Sequence, residues 1–436
     1  MSLNRRKFLG LTGSAVGTVA TGGLLWKIGT SDDVAGTAAS TSAAPATTVP
    51  PPTTGPTTTT PTTTSPPATA PTAEGRRVVV LVQMAGGNDV LNTLVPADGR
   101  YRDARPTIAI DDADVVELAG VTSHGLHPAM EPLADMWAND QLAVVQGLAL
   151  PEQSRSHFVA LDTWWAATPE LASAGGWIGR YLDATATDAS NPMRAISLGG
   201  GAPALTGIAS RPVIVQRLEG FELRAPRGST GVTDAFSAMA DPSSGGLLGA
   251  AQAAIPTAVL SVDTLQTVFD SIPQVDVAFE IEQLFHAAAS IIEADLGTEV
   301  ILINAPGFDT HSDQRARHVD LLGGVANGID ALYQRLGASG HADRTVTLAY
   351  SEFGRRVAEN GSGGTDHGNA GIAFVAGPSV AGRQLVGDAD LANLERGDLV
   401  PTIDTRSVYA DVLDWIGGPS EQILGGRFDT YSILAS

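Results

Sequence analysis

From about residue 76 the chain alternates two kinds of apolar pattern. Short, nearly continuous β-rich runs occur at Arg77–Met84 (RVVVLVQM), Leu142–Gly147, Ala195–Leu198, Val300–Ile303, Thr345–Tyr350 and Ile372–Ala376. Runs of this length without polar alternation predict strands buried on both faces, as in a parallel sheet covered by helices. Between them, apolar residues return every three or four positions. Val277, Ile281, Leu284, Ala288, Ile291 and Ile292 share one helical face, and Gly297 follows as a stop. Leu322, Val325, Ile329, Leu332 and Leu336 form a second face. Val408, Val412, Leu413 and Ile416 form a third, closed by Gly417-Gly418-Pro419. Strand and helix in alternation predict an α/β fold, a three-layer α/β/α sandwich around a mainly parallel, doubly wound sheet. The stretch 203–275 breaks the rhythm and reads as an insertion or cap.

The N-terminal segments follow neither pattern. In residues 1–31, Asn4-Arg5-Arg6-Lys7-Phe8-Leu9 sets two arginines before an uncharged stretch running to Trp26. This resembles a twin-arginine export signal, either cleaved or kept as an anchor, and implies the twin-arginine machinery as a partner. The destination would then be the periplasm, the cell surface or the medium. Residues 32–75 form a linker in which 22 of the 28 residues from Pro45 to Thr72 are Thr or Pro. Such a run has little to bury and stays extended, spanning roughly 90 Å if polyproline-like throughout. That suits a stalk. No second apolar span of 18 residues stands out, so membrane contact is expected only through the N-terminal segment, with 76–436 as one domain.

Charge and cysteine content narrow the chemistry. Lys and Arg total 26 against 47 Asp and Glu, for a net charge of -21. So acidic a chain repels phosphate backbones, which argues against nucleic-acid binding. There is no cysteine. Disulfide scaffolds, thiolate metal sites and thiol catalysis are therefore excluded. A divalent metal here (zinc, manganese, magnesium or calcium) would need carboxylate, imidazole, hydroxyl or amide ligands.

In open α/β sheets ligands collect at the carboxyl ends of the strands. After the first predicted strand comes Gly86-Gly87-Asn88-Asp89. After the second comes Ser154-Arg155-Ser156-His157, and after Val300–Ile303 comes Asp309-Thr310-His311. Ser351-Glu352-Phe353-Gly354-Arg355 follows Tyr350, and Gly364-Thr365-Asp366-His367-Gly368 precedes Ile372. Each piece has a plainer reading. The Gly-Gly-Asn-Asp run suits a tight turn, and Ser154 or Ser156 suits a helix cap. Asp309 and His311 suit an Asx-turn and a surface histidine, and Arg355 suits a partner for nearby carboxylates. Their joint occurrence at strand ends is what points to a site. His124, His127, His286, His318 and His341 lie near no comparable cluster and read as structural or surface, and Trp164 and Trp165 as core. No Walker phosphate loop, dinucleotide fingerprint or nucleophile elbow is complete in this chain.

Taken in order, these motifs resemble the bacterial domain-of-unknown-function family 1501, whose members are twin-arginine-exported. The features are Gly86-Gly87-Asn88-Asp89 with Leu91-Asn92-Thr93, Ser154–Phe158, Asp309–His311, Ser351–Arg355, Gly364–Gly368 and the helix at Asp404–Gly417. That family is similar to the alkaline phosphatase and sulfatase superfamily. The resemblance implies an alkaline-phosphatase-like sandwich with a metal site at the strand ends. It implies metal ligands among Asp89, Asp309, His311, Glu352, Asp366 and His367, and a catalytic set among Ser154, Ser156 and His157. It implies anion contacts from Arg155 and Arg355. Pro306-Gly307-Phe308 stands where Gly-Gly-Trp is commoner, and Ser351-Glu352 where the superfamily has Asp-His. The expected activity is metal-dependent hydrolysis of phosphate or related esters. The alternative is a non-catalytic binding or assembly protein that keeps the fold.

Overall fold

A computed structural model describes residues 75–435, apart from 188–190, 220, 222–230, 241–244 and 274. The export-signal and linker readings therefore lie outside the described residues. Nine strands form the main sheet: β1 Val78–Ala85, β2 Leu142–Ala149, β3 Ala195–Leu198, β4 Val213–Val215 and β5 Val300–Pro306, then β6 Thr345–Tyr350, β7 Gly371–Ala376, β8 Gln384–Val386 and β9 Ile403–Asp404. Their order is β8-β2-β7-β6-β1-β5-β3-β4, with β9 beside β2. The six expected strands are all present: β1 is shifted by one residue, and β2, β5 and β7 are longer by one to three. β1 lies near the middle, parallel to both neighbours, with Leu81 opposite Leu302 and Leu348.

Sandwich geometry follows from the alternation of side chains along each strand. Val78, Val80, Val82 and Met84 face one core, and Val79 and Leu81 the other. The first core is covered by α1 Glu131–Ala138, the helix α5 Glu282–Glu293 and the long helix α6 Gln314–Ser339. It takes in Leu133, Phe285, Ile291, Leu322, Ile329 and Leu336. The second is covered by α2 His157–Ala166, α3 Trp177–Ala184 and α7 Thr405–Trp415. These contribute Trp164, Trp177, Tyr181, Val408 and Val412. Each fully buried aliphatic side chain is worth about 1.5–3 kcal/mol, so the two cores carry the domain. Helix α5 starts later than its apolar period suggests, because Val277 lies ahead of it.

Two features depart from the sequence reading. β7 runs antiparallel to both β2 and β6. The reversal has a consequence for the site: the loop before β7, rather than the one after it, shares an edge with the carboxyl ends of β1, β2, β5 and β6. The second departure concerns 203–275. Its start is part of the sheet, since β4 pairs with β3. It also contains α4, Gly246–Asp270. By length and a mean hydropathy of 1.2 this helix could cross a membrane, where the sequence reading found no further apolar span. Its stripe at Ile255, Ala258, Val262, Leu265 and Val268 is buried, while Leu247, Leu248 and Leu260 are exposed. Leu265 and Val268 join the first core, which is how a domain helix uses such a stripe.

Candidate metal centre

Four loops meet at the site edge because glycines let their backbones touch. Gly86, at φ +126°, lies so close to the 308–309 turn that a Cβ would fall 2.2 Å from the Asp309 amide nitrogen. Gly364 has the same relation to the His311 backbone, at 2.4 Å. The Thr365 amide donates to the Thr310 carbonyl, and Arg355 and His367 form an antiparallel bridge. Asp309, His311, Glu352 and His367 thus converge although they come from loops widely separated in sequence.

Asp309 Oδ1 is the centre of the arrangement. His311 Nε2 lies 3.1 Å from it, His367 Nε2 3.2 Å and His157 Nε2 3.4 Å. His311 Nε2 and His367 Nε2 are 2.9 Å apart. One ligand atom each from His157, Asp309 and His367 can be chosen so that all lie within 4.8 Å of one another.

The other ring nitrogens fix the tautomers. His157 Nδ1 is 2.8 Å from Glu352 Oε1, His311 Nδ1 is 3.2 Å from Asp366 Oδ1, and His367 Nδ1 is 2.7 Å from the Arg155 carbonyl. Carboxylates and carbonyls only accept, so each Nδ1 carries a proton, and each Nε2 faces Asp309, where it can donate when protonated or ligate a cation when not. The same orientation is seen in histidines that bind metals. His157 Nε2 is buried and makes no hydrogen bond among the described residues. An unsatisfied buried acceptor facing a carboxylate needs a proton or a cation between them.

The surrounding groups tune this centre. Glu352 is fully buried, accepting from the Gly86 amide at 2.9 Å besides holding His157. The hydrogen bond between Glu352 and His157 pushes the His157 pKa up. Partial burial pushes the Asp309 pKa up, but the hydrogen bonds of Arg355 and His367 override it and bring it down to about 2. The Asp366 pKa is lowered, first by its hydrogen bond from Asn360. The Asp309 side chain is 47% exposed, so the centre is open to solvent.

Several expected roles shift. His157, expected among the catalytic groups, lies with the nitrogen donors. Glu352 and Asp366, expected as ligands, instead sit behind His157 and His311. Asp89 is not in the cluster: it is sealed in the interior, paired with Arg105 at 2.6 Å and bonded by Gln314. Burial raises its pKa, but Arg105 outweighs this and the net shift is downward. Both expected anion-binding arginines are already paired with carboxylates. Arg355 is buried and donates to the carbonyls of Gly87, Thr365, Gly86 and Phe308 as well as to Asp309. Arg155 pairs with buried Asp398, which Arg356 also approaches at 3.4 Å. Ser154 Oγ accepts from the Ser156 amide, and Ser156 is exposed at the N-cap of α2 with no cap bond from its side chain. Both serines adjoin the cluster through His157 and the Arg155 carbonyl. Sequence reasoning missed Arg105, Gln314, Asn360 and Asp398. Of these, only Gln314 had a usable signal, three residues beyond His311 at the start of an apolar-periodic helix.

Among solved structures, the chain is similar to Ps i-CgsB in complex with k-i-k-neocarrahexaose, at 12% identity and TM-score 0.39, covering 82% of this chain and 75% of that one. It is similar to the lipoteichoic acid synthase LtaP from Listeria monocytogenes at 10% identity and TM-score 0.34, covering 81% and 76%. It is also similar to a protein in the alkaline phosphatase superfamily from Vibrio parahaemolyticus, at 9% identity and TM-score 0.38, covering 81% and 69%. No curated protein matches. Residues 125–405, which carry every cluster residue, match the family described as protein of unknown function (DUF1501), and the chain belongs to that family.

Proposed function

We propose that the protein is an exported, metal-dependent hydrolase of phosphate or related esters. One observation carries the reading: three imidazoles, each with Nδ1 engaged by an acceptor, turn Nε2 toward one carboxylate, and the Nε2 of His157 is buried without a partner. His157, His311, His367 and Asp309 would hold the metal. A donor set of three imidazoles and one carboxylate favours zinc, or another metal that accepts nitrogen, over magnesium and calcium. When bound, such an ion polarises an ester oxygen and acidifies an oxygen nucleophile.

The remaining work falls to this chain's own residues. Glu352 holds the His157 proton on Nδ1, and the Arg155 carbonyl does the same for His367. Arg355 neutralises Asp309 from the interior side, and the second carboxylate oxygen remains for a cation. Ser156, exposed beside His157, is the candidate nucleophile, with water at the same opening as the alternative. The N-terminal Arg5-Arg6 pair supports export, and the Thr/Pro linker supports display away from the membrane.

The test is turnover of generic phosphate monoesters, phosphate diesters and sulfate esters by the full chain loaded with zinc or manganese. Activity is expected, with loss of about 100-fold or more in Asp309→Ala, the scale of removing one transition-state donor. A zinc-loaded protein inactive on all three ester classes would count against hydrolysis and leave the binding-protein reading in its place.

A further inference from the structure

Behind the cluster lies a buried amide that touches both loops carrying its half-buried histidines, His311 and His367. Gln314 opens α6 and is fully buried. Its Oε1 accepts from Thr310 Oγ1 at 3.0 Å and from Thr365 Oγ1 at 2.6 Å. Its Nε2 donates to Asp89 Oδ2. The amide orientation is forced, because a carboxylate can only accept, so nitrogen must face Asp89 and oxygen the two hydroxyls. Thr310 stands between Asp309 and His311, and Thr365 immediately precedes Asp366 and His367. Both threonines are fully buried.

We propose that Gln314 is a positioning residue that sets the separation of the two histidine loops and, through it, the affinity of the site for its metal. The inference rests on the metal reading given above. Three backbone bonds join the two loops: the Thr365 amide donates to the Thr310 carbonyl at 3.2 Å, Asp313 to Ser362 at 3.3 Å and Gln314 to Gly363 at 2.9 Å. Only the first of these lies at the residues that adjoin the histidines. The common acceptor on Gln314 adds an interior tie at those same two residues, Thr310 and Thr365, and so holds the histidine ends of the loops at a fixed separation. Asp89 and Arg105 fix the amide in turn: Arg105 Nη1 bonds Asp89 at 2.6 Å, and Arg105 Nε and Nη2 bond the carbonyls of Val357 and Arg356 at 2.8 Å. The interior ion pair is thereby mechanically continuous with the open site. This also gives Asp89 a role at the strand end without making it a ligand.

The experiment uses hydroxyl-to-methyl exchange, which conserves shape, in place of Gln314→Ala, which would open a cavity. Full-length Thr310→Val, Thr365→Val and the double variant are compared with Thr310→Ser and Thr365→Ser. Zn2+ affinity is read by chelator competition, and the metal-free fold by circular dichroism and melting temperature. The expected result is a 10–100-fold loss of Zn2+ affinity in the valine variants, the range found when groups orienting metal ligands are removed. The serine variants should recover most of it, and all the metal-free proteins should stay folded. Folded valine variants that bind Zn2+ as tightly as wild type would overturn the inference and leave the metal site standing. A valine variant that fails to fold, with its serine counterpart folded, would place the hydroxyl's role in folding and equally overturn it. A wild type that binds no Zn2+ would remove the metal site and the inference together.

Discussion

Two carboxylates face the same sheet edge and have been given opposite fates. Asp89 is sealed in the interior against Arg105, with Gln314 as a further donor. Asp309 is half exposed, and three imidazole nitrogens stand around one of its oxygens. From sequence both read as aspartates at strand ends and both looked like ligands. Both pair with a buried guanidinium, Asp89 with Arg105 and Asp309 with Arg355, each at 2.6 Å. The surroundings decide the difference. Asp89 is fully enclosed, with its remaining bonds supplied by protein donors, whereas Asp309 is half exposed and faces three imidazole nitrogens that can ligate a cation beside it.

Breaking the sealed pair should give the largest effect. Arg105→Met would leave Asp89 buried without compensation, and a loss of about 3–5 kcal/mol is expected, measured by urea unfolding of the metal-free protein. Asp309→Asn should cost less, about 1–3 kcal/mol, because Asp309 is half exposed and Arg355 keeps its four backbone carbonyl acceptors. If the two substitutions cost the same, the contrast drawn between the sites is wrong.

The next effect is on metal affinity. His367→Ala removes a donor nitrogen and should lower Zn2+ affinity more than about 100-fold, beyond the range for groups that merely orient ligands. Glu352→Gln should cost less, about 10–100-fold, because it weakens the hold on His157 without removing His157 itself. Calorimetric titration of both variants checks the order, and a greater loss in Glu352→Gln would make Glu352 the ligand.

The smallest effect lies at the opposite edge of the sheet, where Glu299 precedes β5. Burial raises its pKa, but Arg194, bonded to it twice at 2.8 Å, overrides this and holds the carboxyl below its ordinary value of 4.5. A depressed pKa contributes stability above the ordinary value, and that stability is lost as the pH falls through the lowered one. Glu299→Gln should therefore cost about 1–3 kcal/mol at pH 7 and progressively less in acid. Unfolding curves between pH 3 and pH 7 check the sign: a gap that widens toward acid would refute it.

Much of this was legible in the sequence because strands buried on both faces leave unbroken apolar runs, and all six expected strands are present. The reversed direction of β7 was not legible, since an apolar run looks alike in either direction. Yet that reversal is why His367, which precedes its strand, shares an edge with Asp309, which follows one. Which residue types gather at the site could be read from the loops, but their division of labour could not. Asp89 and Asp309 differ in burial and in the imidazoles that only Asp309 faces, and nothing local marks Arg105 as lying under the first loop. Glu352 and Asp366 likewise read as ligands because sequence shows a carboxylate without showing the imidazole in front of it.

The central claim is that His157, His311, His367 and Asp309 form a metal centre. Elemental analysis of the full chain, purified without chelators and then exposed to Zn2+, tests it most directly. The account predicts about one zinc per chain in wild type and none in folded Asp309→Ala or His367→Ala. A folded wild type that retains no metal after Zn2+ exposure, or an Asp309→Ala protein that retains as much as wild type, would contradict it.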